Sequence, residues 1–472
     1  MANKESSLLR FIKSSGIFFI GSVLSKAISI LMLPLYTNRI PTDDMGYYDL
    51  SLTYITIATS FLFFDIWVAI LRYMYDGKNE EDQATSIKSG FSIFALSSAL
   101  YLVLGGAFAF IFHSDAIHWI LLYGLFQNIA NLLCFCVRGF QKNKEFAISG
   151  IISTVVNVAC NLIFILGFNV GYESLYISGI IGFIAQSLYL MLCGRIFKSL
   201  KVGRFDKAVT QSMFKYSLPL CLNSIAYWVL TSMNRVVLNA IFGNEANGIY
   251  AIGNKFSFVI GLITTCFTYA WQDLSFSKAN EKGVGKFYSN ASTMYSKVLI
   301  LCTSLALPAI KIVFPILVGD AYSSAENTIP LFLVVAMISA VSTFIGNIFY
   351  AIKETKMIFI SMVISALVNV ALCYPLITYF HINGANLSVL ISFVVNILIR
   401  CVVLGKRISF KLDKSILTLL LPLGLSIAAF ICLDWKLNII VFCAILFTIA
   451  FYFKNYIKIF LNKIKQRKGD NL

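Results

Sequence analysis

Five basic side chains, Lys26, Arg235, Lys255, Lys297 and Lys311, fall inside stretches of this sequence that are otherwise apolar enough to cross a membrane. A charge near the bilayer centre costs about 2.5–3.5 kcal/mol even on the lenient insertion scale, so each should face water, a partner or a cargo. Lys26 lies about 18 Å deep at the helical rise per residue, too far for easy snorkelling. Arg235, Lys255 and Lys311 lie about 10–12 Å from the outer edge, and Lys297 lies near the other side. The clear anion within the spans is Asp65, with Asp49 and Asp273 nearer the ends. The interior therefore reads as cation-rich, which suits an anionic cargo. Lys26, Arg235, Lys255 and Lys297 form the candidate cationic set, and a guanidinium at 235 favours bidentate contact with phosphate. Asp65 is the candidate coupling-ion site.

Polar stripes run along the same stretches. Asp49, Thr53, Thr56 and Ser60 share one face of the second, as Ser15, Ser22, Lys26 and Ser29 do in the first. Asn223, Tyr227, Thr231, Asn234 and Arg235 make the most polar stripe of the chain, in the seventh. Hydroxyl stripes serve helix packing as readily as a substrate path. Asn223, Tyr227, Trp228, Thr231 and Asn234 are the candidate polar and sugar contacts.

Catalysis is not expected. The three histidines, His113, His118 and His381, lie in or beside the outer loops, leaving intramembrane acid–base chemistry without its usual residue. Cys134-x-Cys136 within a span is weak evidence for metal, and His113, Asp115 and His118 lack a fourth ligand. No G-x-x-x-x-G-K-[ST] loop is present, so direct ATP use is not expected. No cofactor is implied.

The elements that position these residues follow from composition. The chain is 58% hydrophobic and 13% charged, with a mean hydropathy of +0.81, which excludes an ordinary soluble domain. About 20 apolar residues cross the hydrocarbon, so the 472 residues allow about fourteen helices in an all-α polytopic membrane protein. Thirty-one of the 38 Lys and Arg residues fall in alternate loops and the two ends, whereas the opposite loops hold Arg39 and Lys436. This asymmetry places both termini in the cytoplasm. It also accounts for the net charge of +16 without nucleic acid, since the basic loops face anionic lipid.

The chain also repeats itself in parallel. Val156-Asn157-Val158-Ala159 recurs as Val368-Asn369-Val370-Ala371, and Met45-Gly46-Tyr47-Tyr48 matches Asn247-Gly248-Ile249-Tyr250. The order and near-constant spacing predict two parallel six-helix repeats plus two C-terminal helices. The lobes are expected at 1–194 and 214–404, joined by a cytoplasmic loop at 195–213, with residues 405–472 supplying the last two helices and a basic tail. Two such bundles can rock about a cleft.

Arg72-Tyr73-Met74-Tyr75, Arg138-Gly139-Phe140-Gln141-Lys142, Tyr216-Ser217-Leu218-Pro219-Leu220 and the run Asn234-Arg235-Val236-Val237-Leu238 give the chain a further likeness. It resembles the polysaccharide transporter family, flippases of lipid-linked oligosaccharides within the multidrug/oligosaccharidyl-lipid/polysaccharide exporter superfamily. The resemblance implies a bacterial inner membrane and an undecaprenyl-diphosphate-linked repeat unit as cargo, for O-antigen, lipopolysaccharide or capsule biosynthesis. Membrane lipid and other polysaccharide-assembly membrane proteins are the implied partners. It also implies a lipid-facing groove for the prenyl tail, with spans thirteen and fourteen as natural walls. The family often has Asp-Arg where this chain has Asn234-Arg235, and Asn cannot titrate, so no proton is expected to ride there. Two alternatives stand beside the flippase: a multidrug–cation antiporter of the same superfamily, which would want more buried carboxylates than Asp65, and a membrane glycan polymerase or acyltransferase, which would want a large outer loop or a His/Asp/Glu cluster.

Overall fold

The computed structural model describes residues 28–77, 79–112, 116–278 and 283–452, which are helical with no strand. Lys26, with Ser15 and Ser22, lies outside the described residues. Nine helical stretches among them are long and apolar enough to cross a membrane, or ten if a bent pair is taken as one span. Two of the nine are double-length, Lys207–Lys255 with 49 residues and Lys356–Ile408 with 53. Breaks at Gly243 and His381, both at positive φ, interrupt them where outer turns were expected. Gly243 has a φ of 78°, a left-handed conformation that glycine alone adopts without penalty.

The helices of the N-terminal part are α1 Leu33–Arg39, α2 Thr42–Phe63, α3 Ile66–Asp76, α4 Glu80–Phe112, α5 Ile117–Gly139, α6 Asn143–Leu162, α7 Glu173–Cys193 and the short α8 Ile196–Val202. Then come α9 Lys207–Thr231, α10 Met233–Lys255, α11 Phe258–Lys278, α12 Val284–Leu317, α13 Ile329–Ala351, α14 Thr355–Ile408, α15 Leu420–Cys432 and α16 Trp435–Tyr452. Of the first expected span, 14–37, only residues 28–37 are described; the other thirteen each overlap one or two of these helices.

By packing, the chain divides into two compact units that cut across the sequence repeat. The first comprises the described residues up to Ile252 with Gly319–Tyr322 and Thr355–Asn396. Its core forms where the apolar face of α3, with Ile66, Ile70 and Met74 fully buried, meets Leu132, Cys136 and Val137 of α5. Tyr48, Tyr123 and Tyr176 make a second cluster of edge-on rings, and the Tyr176 hydroxyl lies 2.6 Å from Ser51 Oγ.

Within this unit the loops expected on one side of the membrane meet one another. Tyr322 donates its hydroxyl to the carbonyls of Ile40 and Pro41 at 2.9 Å, and the Gly319 amide donates to Thr37 Oγ1. The Phe242 and His381 rings lie 4.6 Å apart. At the other end the basic loops join: Lys198 pairs with Glu80, Arg204 with Glu81, and Lys142 donates to the Cys193 carbonyl.

The second unit comprises Gly253–Val318, Ser323–Glu354 and the chain from Ile397 onward. Trp271 stacks on Phe344 at 4.1 Å, Phe344 stacks on Tyr295 at 4.1 Å, and the Trp271 indole donates to the Phe344 carbonyl. α15 and α16 pack on α12.

Candidate functional site

The polar stripe of α2 is the starting point. Thr53, Thr56 and Ser60 each donate to the carbonyl four residues back, which satisfies the hydroxyls inside their own helix. A carbonyl has a second lone pair, and α9 uses it. The Trp228 indole N–H donates to the Thr53 carbonyl at 3.1 Å, and Cys221 Sγ donates to the Ser60 carbonyl at 3.0 Å. The stripe thus faces α9 as a seam. Trp228, expected to pack on sugar, has its polar edge committed to that seam. Tyr227 is half exposed, Asn223 is partly buried, and Thr231 donates to the Tyr227 carbonyl.

Near the start of α2 its stripe carries charge, facing α10. Arg235 Nε donates to Asp49 Oδ2 at 2.7 Å, with both side chains largely shielded at 14% and 22% exposure. The Arg235 guanidinium carbon also stands 5.1 Å from the Tyr250 ring centroid. Lys311 likewise pairs with Glu326 at 3.2 Å and lies over Phe430. At these two positions the cation is met by an anion in this structure. Each cation has a carboxylate partner that lies far away in sequence or beyond the end of its span. Lys255 and Lys297 sit half-buried in the second unit. Asp413, just outside the span, has its carboxyl held below the usual range by the Ser415 amide and hydroxyl, with a smaller contribution from Lys297.

Beside the ion pair, two helices touch through glycine. A Cβ on Gly46 would lie 1.7 Å from the Asn244 carbonyl oxygen and 2.7 Å from the Gly248 amide nitrogen. A Cβ on Gly248 would lie 2.0 Å from the Thr42 carbonyl oxygen. The backbones of α2 and α10 therefore approach as only glycine permits. Gly46 and Gly248 were visible in the sequence as matching positions of the repeat, but nothing there showed that they meet.

Asn234 is fully buried. Its amide donates to the Ala385 carbonyl and to Ser388 Oγ, and its oxygen accepts from Asn369 at 2.8 Å. It ties α10 to both halves of α14, a packing role that leaves the side chain little capacity to bind a cargo. Arg400 is 3% exposed and donates to the Ser342 carbonyl and hydroxyl. The helix runs on to Ile408, so Arg400 lies about two turns inside it.

Asp65 occupies the other polar point. Phe64 and Asp65 both adopt the left-handed conformation, at φ 52° and 51°, and α2 and α3 meet there at 48°. Neither residue is Gly, so the break stores strain. Ser224 Oγ donates to Asp65 Oδ2 at 2.5 Å. Interrupted helices inside a membrane are tolerated where they are buried or line a polar cavity, and they supply carbonyls that hold small cations. No group of three His, Cys, Asp or Glu able to hold a metal occurs among the described residues.

Residues 11–271 match the family described as polysaccharide biosynthesis protein. The chain belongs to that family. Among curated proteins, this family member is 20% identical to an uncharacterized membrane protein of Haemophilus influenzae over 370 residues, 76% of this chain and 89% of the relative. Its fold is similar to that of the lipid II flippase MurJ in an inward closed conformation, with a TM-score of 0.66 at 16% identity over 93% of this chain and 99% of the other. An inward-facing multidrug resistance MATE family transporter of the MOP superfamily gives 0.62 at 12% identity, over 81% and 94%. The polysaccharide biosynthesis protein is thus a multi-pass membrane protein with the fold of MOP-superfamily transporters and flippases.

Proposed function

We propose that this protein flips an undecaprenyl-diphosphate-linked oligosaccharide from the cytoplasmic to the outer leaflet by alternating access, for assembly of a surface polysaccharide such as O-antigen or capsule. The observation that carries the reading is the sealed end of the first unit. Gly46 against Gly248 and Asp49 against Arg235 bring α2 and α10 into close contact where the outer turns are expected. A closure of this kind, with a single ion pair at its edge, is what one end of an alternating-access cycle requires. The two six-helix lobes at 1–194 and 214–404, with cytoplasmic termini in a bacterial inner membrane, are the frame in which it would open.

In this reading Lys26, Lys255 and Lys297 offer charge to the diphosphate, and Arg235 joins them once Asp49 releases it. Asn223, Tyr227 and Thr231 are the polar contacts open to sugar. No catalytic step is part of the proposal. Asp65 with Ser224 serves as a coupling-ion site.

Energy for the step has a physical source. A diphosphate carrying about two negative charges moves out of a negative cytoplasm, and each charge crossing the full field is worth about 2.3 kcal/mol per 100 mV. The test is export of a lipid-linked glycan from proteoliposomes at a clamped potential without proton or sodium gradients. Export that accelerates as the potential grows supports the reading. Absence of glycan-lipid movement under any gradient, with efflux of a cationic drug instead, would replace it with the multidrug antiporter.

A further inference from the structure

An apolar groove of about 500 Å³ lies in the first unit between the end of α2, the middle of α4 and the start of α9. Phe64, Leu96, Leu100 and Phe214 supply its hydrocarbon surface. Leu96 is 74% exposed and Leu100 44%, so in a bilayer this surface is open to lipid chains. The helix break at Phe64 shapes the groove floor. Phe64 leaves the regular face of α2 and meets Phe214 edge-on at 5.0 Å. Gln211 and Lys215 of α9 join the lining beside the hydroxyls of Ser97 and Thr210, Lys215 is its one cation, and no acidic side chain lines the groove.

We infer that this groove holds the prenyl chain of a single-chain lipid phosphate, with Lys215 against the phosphate. The inference deepens the proposed function, on which it rests, and places the tail of the cargo against α2, α4 and α9 rather than against the last two helices. Charge complementarity selects the occupant. One mainly hydrocarbon slot with a single cation and no anion in its lining matches one chain carrying one anionic head. A two-chain phospholipid would leave a chain outside the slot. The start of α9 follows the basic loop 195–213, so Lys215 sits toward the side where a cytoplasmic-leaflet phosphate would lie. The groove also touches the break that carries Asp65, because Phe64 lines the slot and the next residue holds Ser224. A chain entering the slot leans on the strained hinge itself.

The experiment is photolabelling of the full chain in phosphatidylcholine nanodiscs by a polyprenyl monophosphate with a diazirine on the second isoprene from the phosphate. Label is expected in peptides containing residues 93–100 or 210–215. It should fall severalfold in Leu96→Trp, which fills the slot, and in Lys215→Glu, which reverses the head-group charge. Leu104→Trp, exposed on the same helix outside the slot, should label like wild type. Unlabelled polyprenyl phosphate should compete and phosphatidylglycerol should not. Label placed elsewhere, label indifferent to Lys215→Glu, or equal competition by phosphatidylglycerol would each overturn the inference. If Leu96→Trp does not fold, Lys215→Glu and the competition arms still decide. Glycan export by wild-type protein is measured separately, so an active flippase whose groove takes no label sinks this inference alone.

Discussion

The Asp49 carboxylate and the Arg235 guanidinium, 186 residues apart in sequence, meet at 2.7 Å in the first unit. Tyr250 stands against the same guanidinium, and the Asn247 amide donates to the Arg235 backbone carbonyl at 3.1 Å. The pair is shielded enough that losing one partner leaves an uncompensated charge. Asp49→Ala and Arg235→Ala should each destabilise the protein by about 3 kcal/mol, the lower end for a buried pair. Thermal unfolding in detergent measures this. The exchange Asp49→Arg with Arg235→Asp should recover part of the loss, and no recovery would mean that the pair does not couple.

Gly46 tolerates no side chain. Gly46→Ala and Gly248→Ala should each cost about 1–3 kcal/mol through overpacking. They should also raise the reactivity of a cysteine placed at Asn244 toward an impermeant thiol reagent in whole cells. Unchanged labelling would show that the glycine contact does not seal this end.

Asp65→Asn keeps an acceptor for Ser224 and removes the charge. Any proton or sodium dependence of export should disappear, while export driven by potential alone should persist. If the variant responds to a sodium gradient as wild type does, the ion site lies elsewhere.

Lys26→Ala should reduce glycan export at matched expression, and Lys26→Arg should retain more of it. Wild-type export by Lys26→Ala would remove this side chain from the mechanism.

Orientation is tested by labelling single cysteines. Residues 195–213 should react from the cytoplasm and residues 319–327 from outside. Reaction of the first loop in intact cells would invert the topology.

The span pattern was legible because hydrophobic length is a one-dimensional property. A helix must cover the hydrocarbon whatever its neighbours are, so even the breaks at Gly243 and His381 fall where apolar runs end. Pairing between helices is different. Asp49 looked like a span-end residue and Arg235 a lumen cation, because periodicity records which face a residue shares and not which helix that face meets. One signal was available: a charge inside a span needs a partner, and Asp49 lies on the most regular polar stripe of α2. The break at Phe64–Asp65 had no such signal, since neither Gly nor Pro marks it.

Gly46 and Gly248 are equivalent positions of the proposed repeat, 202 residues apart, and a side chain on either would strike the carbonyl four residues before the other, Asn244 for Gly46 and Thr42 for Gly248. A residue that touches its own equivalent lies on the twofold axis relating the two copies. In a dimer of single-repeat chains one glycine would have met itself, and one substitution would have struck both faces of an isologous contact. A single chain carrying both repeats is free of that restriction. The neighbouring positions display the freedom gained: three residues after Gly46 stands Asp49, three after Gly248 stands Ala251, and the ion pair is made once where symmetry would have demanded it twice.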